Sequence, residues 1–321
     1  MRNVHIGPFP PPLGGLSVGI YRLSKIRKND MFINEREFGN SLNFRLWYIK
    51  QIFNLKKKNF IYHTHNMRRR LLFFLLSCIS IHKFSLIIRG RLLILDYNNS
   101  NRIKKKLIRM MLAKAYFIQV VNPEYKEFIY NLGVKNQNIF VKYGYIPPPI
   151  EDEPKIIKTY EKNLLEFINK KSPLIISNAS MIQFYNNQDL YGIDICIELT
   201  KLLKTDHPNV GFLFALANSA RNAQYFNKMK EKIIQLDLKN HFYFMTGQKE
   251  LWPIFKKADL VIRATNVDGD AISIREALFF NVPVIASDVT IRPKECVLFQ
   301  NRNVFDLYEK CKEILSKHNR L

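Results

Sequence analysis

Residues 258–287, ADLVIRATNVDGDAISIREALFFNVPVIAS, decide the fold of this chain. Residues 260–262 are a short apolar run, typical of a buried parallel strand. Residues 265–270 are polar and contain a glycine, which predicts a turn. Residues 272–280 carry apolar side chains at helical spacing, and a second strand begins at 284. The stretch therefore predicts strand, turn, helix and strand, the repeating unit of an α/β protein with a parallel sheet.

Polar side chains cluster where the first strand ends and the helix begins. Ligands of open α/β sheets bind beyond the carboxyl ends of the strands. A helix N-terminus also favours anions, because its first backbone N–H groups have no partner within the helix. We therefore expect an anionic ligand near a set of six residues in this stretch. They are Asp268, Asp270, Ala271, Ile272, Ser273 and Arg275.

The spacing of two carboxylates carries a family resemblance. Asp268 and Glu276 are separated by seven residues, and Val-Pro-Val-Ile-Ala-Ser follows at 282–287. This pattern resembles the signature of family-4 retaining glycosyltransferases of the GT-B fold. The resemblance implies an α/β protein with two Rossmann-like domains facing a cleft and a C-terminal helix that packs back on the N-terminal domain. It implies an acceptor-binding domain at 1–150, a nucleotide-sugar-binding domain at 151–303 and the helix at 304–321.

The resemblance also implies roles for single residues. Asp268, where the family usually has Glu, is expected to contact hydroxyls of the donor sugar, and Glu276 the ribose. The reaction is expected to retain the anomeric configuration and to need no metal ion or other cofactor. Further donor contacts are expected at four positions of the C-terminal domain. These positions are Ser177, Gly192, Thr246 and Gly247.

A glycine pair opens the first predicted helix. Gly14 and Gly15 follow a strand at 4–7 and a proline-rich loop. Glycines at such a junction let a ligand approach the backbone and the helix N–H groups closely. In the family a similar turn faces the donor phosphates and the acceptor, so both glycines are predicted donor contacts. A plain turn remains the alternative interpretation.

Two histidines follow the strand predicted at 60–62. His63 and His65 share one face of an extended chain, which is compatible with a metal site or with a hydrogen-bonding loop. The family often has a similar His-x-His lining its cleft. The resemblance therefore predicts an acceptor site formed by four residues. They are His63, His65, Asn66 and Arg91.

Two departures from the family pattern concern the leaving phosphate. Arg89 stands where the family often has a histidine close to the reacting sugar, and it is predicted to stabilise the leaving phosphate. The usual Arg and Lys of the loop after the first strand of the second domain are missing, because residues 172–200 contain neither. Nearby cations are candidate substitutes, with Arg275 first, although an exposed helix arginine paired with a surface acid is equally compatible. The other candidates are Arg263, Arg292 and Lys294.

These departures leave other interpretations open. Without the usual histidine and cationic pair, the chain could be a catalytically weak subunit that binds a sugar nucleotide and needs a partner. Asp268-Gly269-Asp270 also reads as the Asp-x-Asp of metal-dependent glycosyltransferases, which hold a divalent cation at the diphosphate. Its position directly before Glu-Ala and Val-Pro-Val favours the metal-independent interpretation.

The positive charge of the chain lies almost entirely in its first half. Residues 1–150 contain 26 Lys and Arg against 6 Asp and Glu, whereas residues 151–321 contain 24 against 21. A basic half attracts anionic membranes, nucleic acids or anionic substrates, or is simply a solvated surface. Basic clusters at 56–58, 68–70 and 104–106, the second leading into the apolar run 71–76, favour a membrane surface. Nucleic acid is disfavoured, because no helix-turn-helix, zinc-finger or RNP pattern is present.

Composition also predicts the compartment. The four cysteines lack paired spacing, which indicates reduced thiols. The chain shows no signal sequence, and its longest apolar run, 71–81, is too short to span a bilayer. We therefore expect a cytoplasmic protein, peripheral at the inner face of the membrane. Its expected partners are a nucleotide-diphosphate sugar, UDP favoured over GDP, and a saccharide or lipid-linked acceptor in surface polysaccharide synthesis.

Overall fold

The computed structural model describes residues 1–38, 41–54, 56–64, 67, 70–89, 92–269 and 271–318. The chain divides into two compact units, Met1–Ile146 and Pro147–Leu321. Each unit contains a six-stranded sheet. All strand pairs in the two sheets are parallel, which requires a crossover connection between successive strands.

The N-terminal unit alternates strands and helices. Its elements are β1 (Arg2–Gly7), α1 (Gly15–Ile26), β2 (Met31–Asn34), α2 (Ser41–Ile52), β3 (Lys58–Thr64), α3 (Leu71–Cys78), β4 (Lys83–Ile88), α4 (Leu92–Asn98), α5 (Arg102–Lys114), β5 (Ile118–Val120), α6 (Pro123–Asn131) and β6 (Ile139–Val141). The strand order is β2-β1-β3-β4-β5-β6. The order therefore reverses between β1 and β3, where open sheets of this type bind ligands.

The C-terminal unit follows the same plan. Its elements are α7 (Glu153–Ile157), α8 (Lys162–Lys170), β7 (Leu174–Met181), β8 (Phe184–Tyr185), β9 (Gln188–Asp189), α9 (Ile193–Asp206), β10 (Gly211–Asn218), α10 (Ala223–Gln235), β11 (Phe242–Thr246), α11 (Trp252–Phe255), β12 (Leu260–Arg263), α12 (Ile272–Phe279), β13 (Val284–Ser287), β14 (Val297–Phe299) and α13 (Val304–His318). The large sheet has the order β11-β10-β7-β12-β13-β14, and β8 and β9 form a separate antiparallel pair. Its order reverses between β7 and β12, so the predicted site lies at the ligand-binding position of the fold.

The deciding stretch folds as its pattern predicts. β12, α12 and β13 occupy 260–263, 272–279 and 284–287, and the four residues of each strand are buried. Val261 pairs with Val284 in the parallel register. Apolar residues fill a strand buried on both faces, so the continuous apolar runs were a sound signal.

The last helix lies where the sequence predicts it. Leu307, Cys311 and Leu315 on α13 are buried in the core that α9 and β10 also build, and α13 contacts α9, β13 and β14. These three side chains are therefore covered within the C-terminal unit, and the packing of this helix on the N-terminal domain stays a prediction. Its position 304–318 agrees with the predicted helix.

Membrane crossing can be judged from the helices of the described residues. Within those ranges, none is both long enough and apolar enough to traverse a bilayer.

Candidate functional site

The candidate site lies at the carboxyl ends of β7 and β12. Arg263 is the last residue of β12, and its Nη1 donates to the carbonyl of Asn178 on β7, at 3.1 Å. The chain then turns through residues 264–271 before α12 begins at Ile272. The turn after β12 therefore lies at the edge of the sheet where the strand order reverses, between β7 and β12.

Asp268 is the centre of a hydrogen-bonded ion cluster in this turn. Its Oδ2 accepts from Arg263 Nε at 2.9 Å, Arg292 Nη1 at 2.8 Å and Thr265 Oγ1 at 3.2 Å. Its Oδ1 accepts from Arg263 Nη2 at 3.1 Å and from the backbone N–H of Gly269 at 3.0 Å. A carboxylate offers about four lone-pair positions. The acceptor capacity of Asp268 is thus used within the chain in this arrangement.

The cluster carries one net positive charge, because two guanidinium groups share one carboxylate. Burial alone would raise the pKa of Asp268, but the charges and hydrogen bonds of Arg263 and then Arg292 outweigh it and hold this pKa well below its usual range. Burial would lower the pKa of Arg263, and the Asp268 carboxylate raises it instead. Asp268 and Arg263 are therefore both ionised at neutral pH.

The two arginines differ in access. The Arg292 side chain is 2% exposed and also donates to the carbonyl and the hydroxyl of Ser287 and to Thr265 Oγ1. Ser287 Oγ in turn donates to the carbonyl of Thr265, at 2.5 Å. The Arg263 side chain is 11% exposed. Arg292 is therefore the more deeply buried arginine of the cluster, and Arg263 is the more exposed one.

The first turn of α12 lies after the cluster in sequence. Ala271 is the N-cap residue, and its methyl group cannot accept a hydrogen bond from the N–H groups of the first turn, which include those of Ile272 and Ser273. Ser273 and Glu276 are buried, one helical turn apart, and Arg275 is half-buried. The predicted carboxylate pair is thus confirmed in its placement, one partner in the turn and the other on the helix. The donor roles of these residues stay predictions.

Gly192 brings a second helix N-terminus to this turn. It has φ +69° as the N-cap of α9, and a Cβ at this position would lie 2.5 Å from the carbonyl oxygen of Ala264. Asp189, buried in front of α9, accepts from the backbone N–H of Tyr191 and Ile193. Only glycine allows both the conformation and the approach, so Gly192 sets the distance between α9 and the 264–271 turn.

The other predicted donor residues lie farther away or deeper. Thr246 ends β11, which is three strands from β12, so a distance of roughly 14 Å separates the two strands. Gly247 has φ +93°, and no atom of the described residues lies within 4 Å of the position that a Cβ would occupy, which leaves open space at this edge. Ser177 lies inside β7, which extends to Met181, and is buried beside the Cys196 thiol. Its hydroxyl is therefore directed into the core region rather than to the end of the strand.

In the N-terminal unit a buried histidine pair lies where its strand order reverses. His5 Nδ1 and His63 Nε2 are 2.9 Å apart, and His5 Nε2 is 3.2 Å from Asp30 Oδ2. Burial lowers the pKa of both histidines, and the positive charge of Arg89 lowers both further. Both rings are therefore neutral at pH 7. His63, predicted as an acceptor contact, lies fully buried against His5.

Arg89 follows β4 and is held between two glycines. Its Nη1 donates to the carbonyl of Gly144 at 3.0 Å, and a Cβ on Gly19 of α1 would lie 2.5 Å from the same nitrogen. Gly14 is the N-cap of α1 and Gly15 its first residue, as the glycine pair predicts. The structure thus places Arg89, His63 and the start of α1 in one unit. Their predicted roles in phosphate and acceptor binding are untested.

Four predicted site residues lie outside the described residues. They are His65, Asn66, Arg91 and Asp270. Within the described residues, no group of three or more His, Cys, Asp or Glu is placed to hold a metal ion. Since His65 and Asp270 belong to the two metal interpretations, the expectation of a metal-independent site stays a prediction.

Sequence reasoning missed how Arg263 and Arg292 are used. Both were candidates for the diphosphate, yet both bind Asp268. Thr265 and Ser287, which complete the cluster, were not predicted as site residues. Both could have been predicted from their positions at the ends of β12 and β13, because the ends of neighbouring parallel strands meet at one edge of the sheet.

Solved structures show the same fold over the whole chain. HepE of Anabaena, solved in complex with UDP, has a TM-score of 0.69 at 12% identity, with 99% of this chain and 91% of that chain covered. A glycosyltransferase of Rickettsia africae has a TM-score of 0.71 at 17% identity, covering 98% and 88%. The UDP-forming α,α-trehalose-phosphate synthase of Burkholderia xenovorans, solved with glucose-6-phosphate, has 0.66 at 10%, covering 98% and 92%. No curated protein sequence matches the chain.

Fold and matches together define the class as the GT-B architecture, which confirms the predicted fold class and the resemblance. Residues 168–319 match the family described as Glycosyl transferases group 1. This match lies within the C-terminal unit, which is therefore similar to group 1 glycosyltransferase domains. The narrower family-4 assignment stays a prediction.

Proposed function

We propose that this protein transfers a sugar from a nucleotide-diphosphate donor to a saccharide or a lipid-linked acceptor in surface polysaccharide synthesis. The reaction retains the anomeric configuration and uses no metal ion. The observation that carries the proposal is the Arg263–Asp268–Arg292 cluster, with one net positive charge, at the strand-order reversal of a unit that is similar to group 1 glycosyltransferase domains.

The chemistry of the leaving group agrees with this cluster. When the bond between the sugar and the diphosphate breaks, negative charge grows on the phosphate. Arg263 and the backbone N–H groups at the start of α12 are the proposed donors to that charge. Arg292 and Asp268 hold Arg263 in place, so little reorganisation is needed when the charge develops. Asp268 would have to exchange one of its present hydrogen bonds to contact a sugar hydroxyl.

Uracil is the proposed base of the donor nucleotide. Of the three similar structures named above, HepE is bound to UDP and the trehalose-phosphate synthase is a UDP-forming enzyme. At 12% and 10% identity these likenesses concern the fold, so the base is part of the proposal rather than a finding. Glu276, buried on α12, is the proposed ribose contact.

A thermal-shift panel of UDP, GDP, ADP, CMP and their sugar conjugates, each in EDTA and in Mn²⁺, tests the proposal. We expect UDP compounds to raise the melting temperature in EDTA. We expect Glu276→Ala to lose this shift and Glu231→Ala, an exposed control on α10, to keep it. A rise in melting temperature that needs Mn²⁺ would favour the metal-dependent Asp-x-Asp interpretation. No shift with any nucleotide would refute donor binding.

A second candidate, a catalytically weak subunit that binds the donor, is favoured by the saturated carboxylate of Asp268. Incubation of the protein with the stabilising sugar nucleotide and a panel of saccharide and lipid-linked acceptors separates the two. Release of free UDP together with a glycosylated product supports the enzyme. Binding without turnover supports the subunit. The anomeric proton coupling of the product then reports retention or inversion.

A further inference from the structure

The outer face of α2 is apolar although it is not covered by the sheet. Phe44, Tyr48 and Ile52 face the core. On the opposite side, four large apolar side chains repeat at intervals of four, three and four residues and are exposed. They are Leu42, Leu46, Ile49 and Phe53. At 100° per residue this spacing places them in one stripe along the helix and its C-terminal end.

Helix α3 continues this apolar surface. α2 contacts α3, and both helices bury their inner faces in the same core. Leu72, Leu75 and Ile79 form the exposed stripe of α3 and its end, at intervals of three and four residues. Two neighbouring helices therefore each present an exposed apolar stripe. Exposed apolar surface of this extent marks an interaction site.

The chain segment that forms these stripes is positively charged. Residues 38–95 contain eleven lysines and arginines and no aspartate or glutamate. Arg45 and Lys50 are exposed on α2 on either side of its stripe, and Lys56 and Lys57 are exposed beyond its end. Cations that flank an apolar helical stripe match a bilayer surface, where headgroups are anionic and the acyl chains lie just beneath.

We propose that the α2–α3 face, defined by Leu42, Leu46, Ile49, Phe53, Leu72, Leu75 and Ile79, docks on an anionic lipid bilayer. The apolar stripes enter the headgroup boundary and the flanking cations contact anionic headgroups. This interaction goes beyond the proposed function, because it does not require that a sugar is transferred.

Two other occupants fit the face less well. A second copy of the chain would bring the same cations of both copies together, since a two-fold interface repeats one surface, and residues 38–95 contain no acid to compensate them. Nucleic acid would match the cations but not seven exposed aliphatic and aromatic side chains, because protein–DNA interfaces are polar.

Co-sedimentation of the full chain with vesicles tests the proposal. Vesicles of phosphatidylcholine mixed with phosphatidylglycerol should bind the protein, and pure phosphatidylcholine vesicles should bind it much less. Leu46→Glu/Phe53→Glu should lower the partition coefficient at least about tenfold. Ile291→Glu/Phe305→Glu, a control pair of similar exposure in the C-terminal unit, should leave it unchanged.

The electrostatic part has its own pair of variants. Lys56→Glu/Lys57→Glu should lower binding at low salt by more than about tenfold, and added salt should weaken binding of the native protein. Lys228→Glu/Lys239→Glu, exposed on the other unit, is the control. Circular dichroism checks that every variant is folded. Three outcomes would each overturn the proposal. All variants could bind vesicles equally, or the protein could bind RNA and not vesicles. It could also bind no vesicles and instead form a dimer that Leu46→Glu/Phe53→Glu abolishes.

Discussion

At the scale of single residues, the carboxylate side chain of Asp268 is one methylene shorter than the one that the family resemblance predicts. Asp268 stands where Glu is usual, and its short side chain remains close enough to the backbone to accept from the N–H of Gly269. The same position lets it bind two arginines at once. The carboxylate pair could be predicted from spacing, but its hydrogen bonds could not, because Arg292 approaches from 24 residues further along the chain.

Asp268→Asn tests this cluster in the absence of any nucleotide. The substitution keeps the shape and removes the negative charge, which leaves two buried guanidinium groups facing each other. Breaking a buried ion pair in this way costs about 3–5 kcal/mol, and we expect the urea-derived free energy of unfolding to fall by this amount. Arg292→Met added to Asp268→Asn should recover part of the loss, since it removes the uncompensated charge.

Asp237→Asn is the matched control for this experiment. Asp237 pairs with one cation, Lys204, and its side chain is 94% exposed. Exposed pairs contribute little, so no measurable change is expected. Equal and small effects at both positions would mean that water rather than charge pairing satisfies Arg263 and Arg292.

At the scale of elements, helices and strands with a clear pattern of buried apolar residues could be predicted from the sequence. Elements without such a pattern could not. Continuous apolar runs identified β3 and β12, because a parallel strand is covered on both faces. Helix α2 was missed because apolar side chains occur on both its inner and its outer face, which hides the helical period. Helix α11 is only four residues long, with Pro253 in its first turn. Proline is favoured in the first turn of a helix, since the N–H groups of that turn have no partner within the helix.

Gly192 offers a test of how elements set the site. Gly192→Ala forces an alanine into a left-handed conformation, which costs about 1–2 kcal/mol, and drives its Cβ against the carbonyl of Ala264. α9 and the 264–271 turn must separate, so we expect nucleotide affinity to fall at least about tenfold. Isothermal calorimetry measures the affinity, and urea unfolding measures the stability.

Gly133→Ala provides the control, because Gly133 has φ +77° and, among the described residues, nothing within 4 Å of an added Cβ. It should show the conformational cost alone and unchanged nucleotide affinity. If the two variants lose equal stability and Gly192→Ala keeps its affinity, the close approach to Ala264 does not shape the site.

At the scale of the whole molecule, the excess of positive charge lies in one of the two structural units. Residues 1–146 hold 26 Lys and Arg against 6 Asp and Glu, and residues 147–321 hold 24 against 21. This asymmetry could be read from sequence because charges only need counting. The burial of His5 and His63 within the basic unit could not, since it depends on the pairing of β1 with β3.

These histidines make the N-terminal unit the acid-sensitive part. Both have a folded pKa below the usual 6.5, so the unfolded chain binds more protons once the pH falls below about 6.5. The stability that neutral burial provides is complete above that pH and declines below it, by at most about 1.4 kcal/mol per pH unit and histidine. Hydrogen exchange at pH 7.5 and 5.5 should therefore show protection lost first in β1 and β3, while β7 and β12 change less. His63→Gln should make the protection of β1 and β3 less dependent on pH. The control His207→Gln, at a half-buried histidine, should not. If protection falls equally in both units, overall positive charge rather than the histidine pair governs acid unfolding.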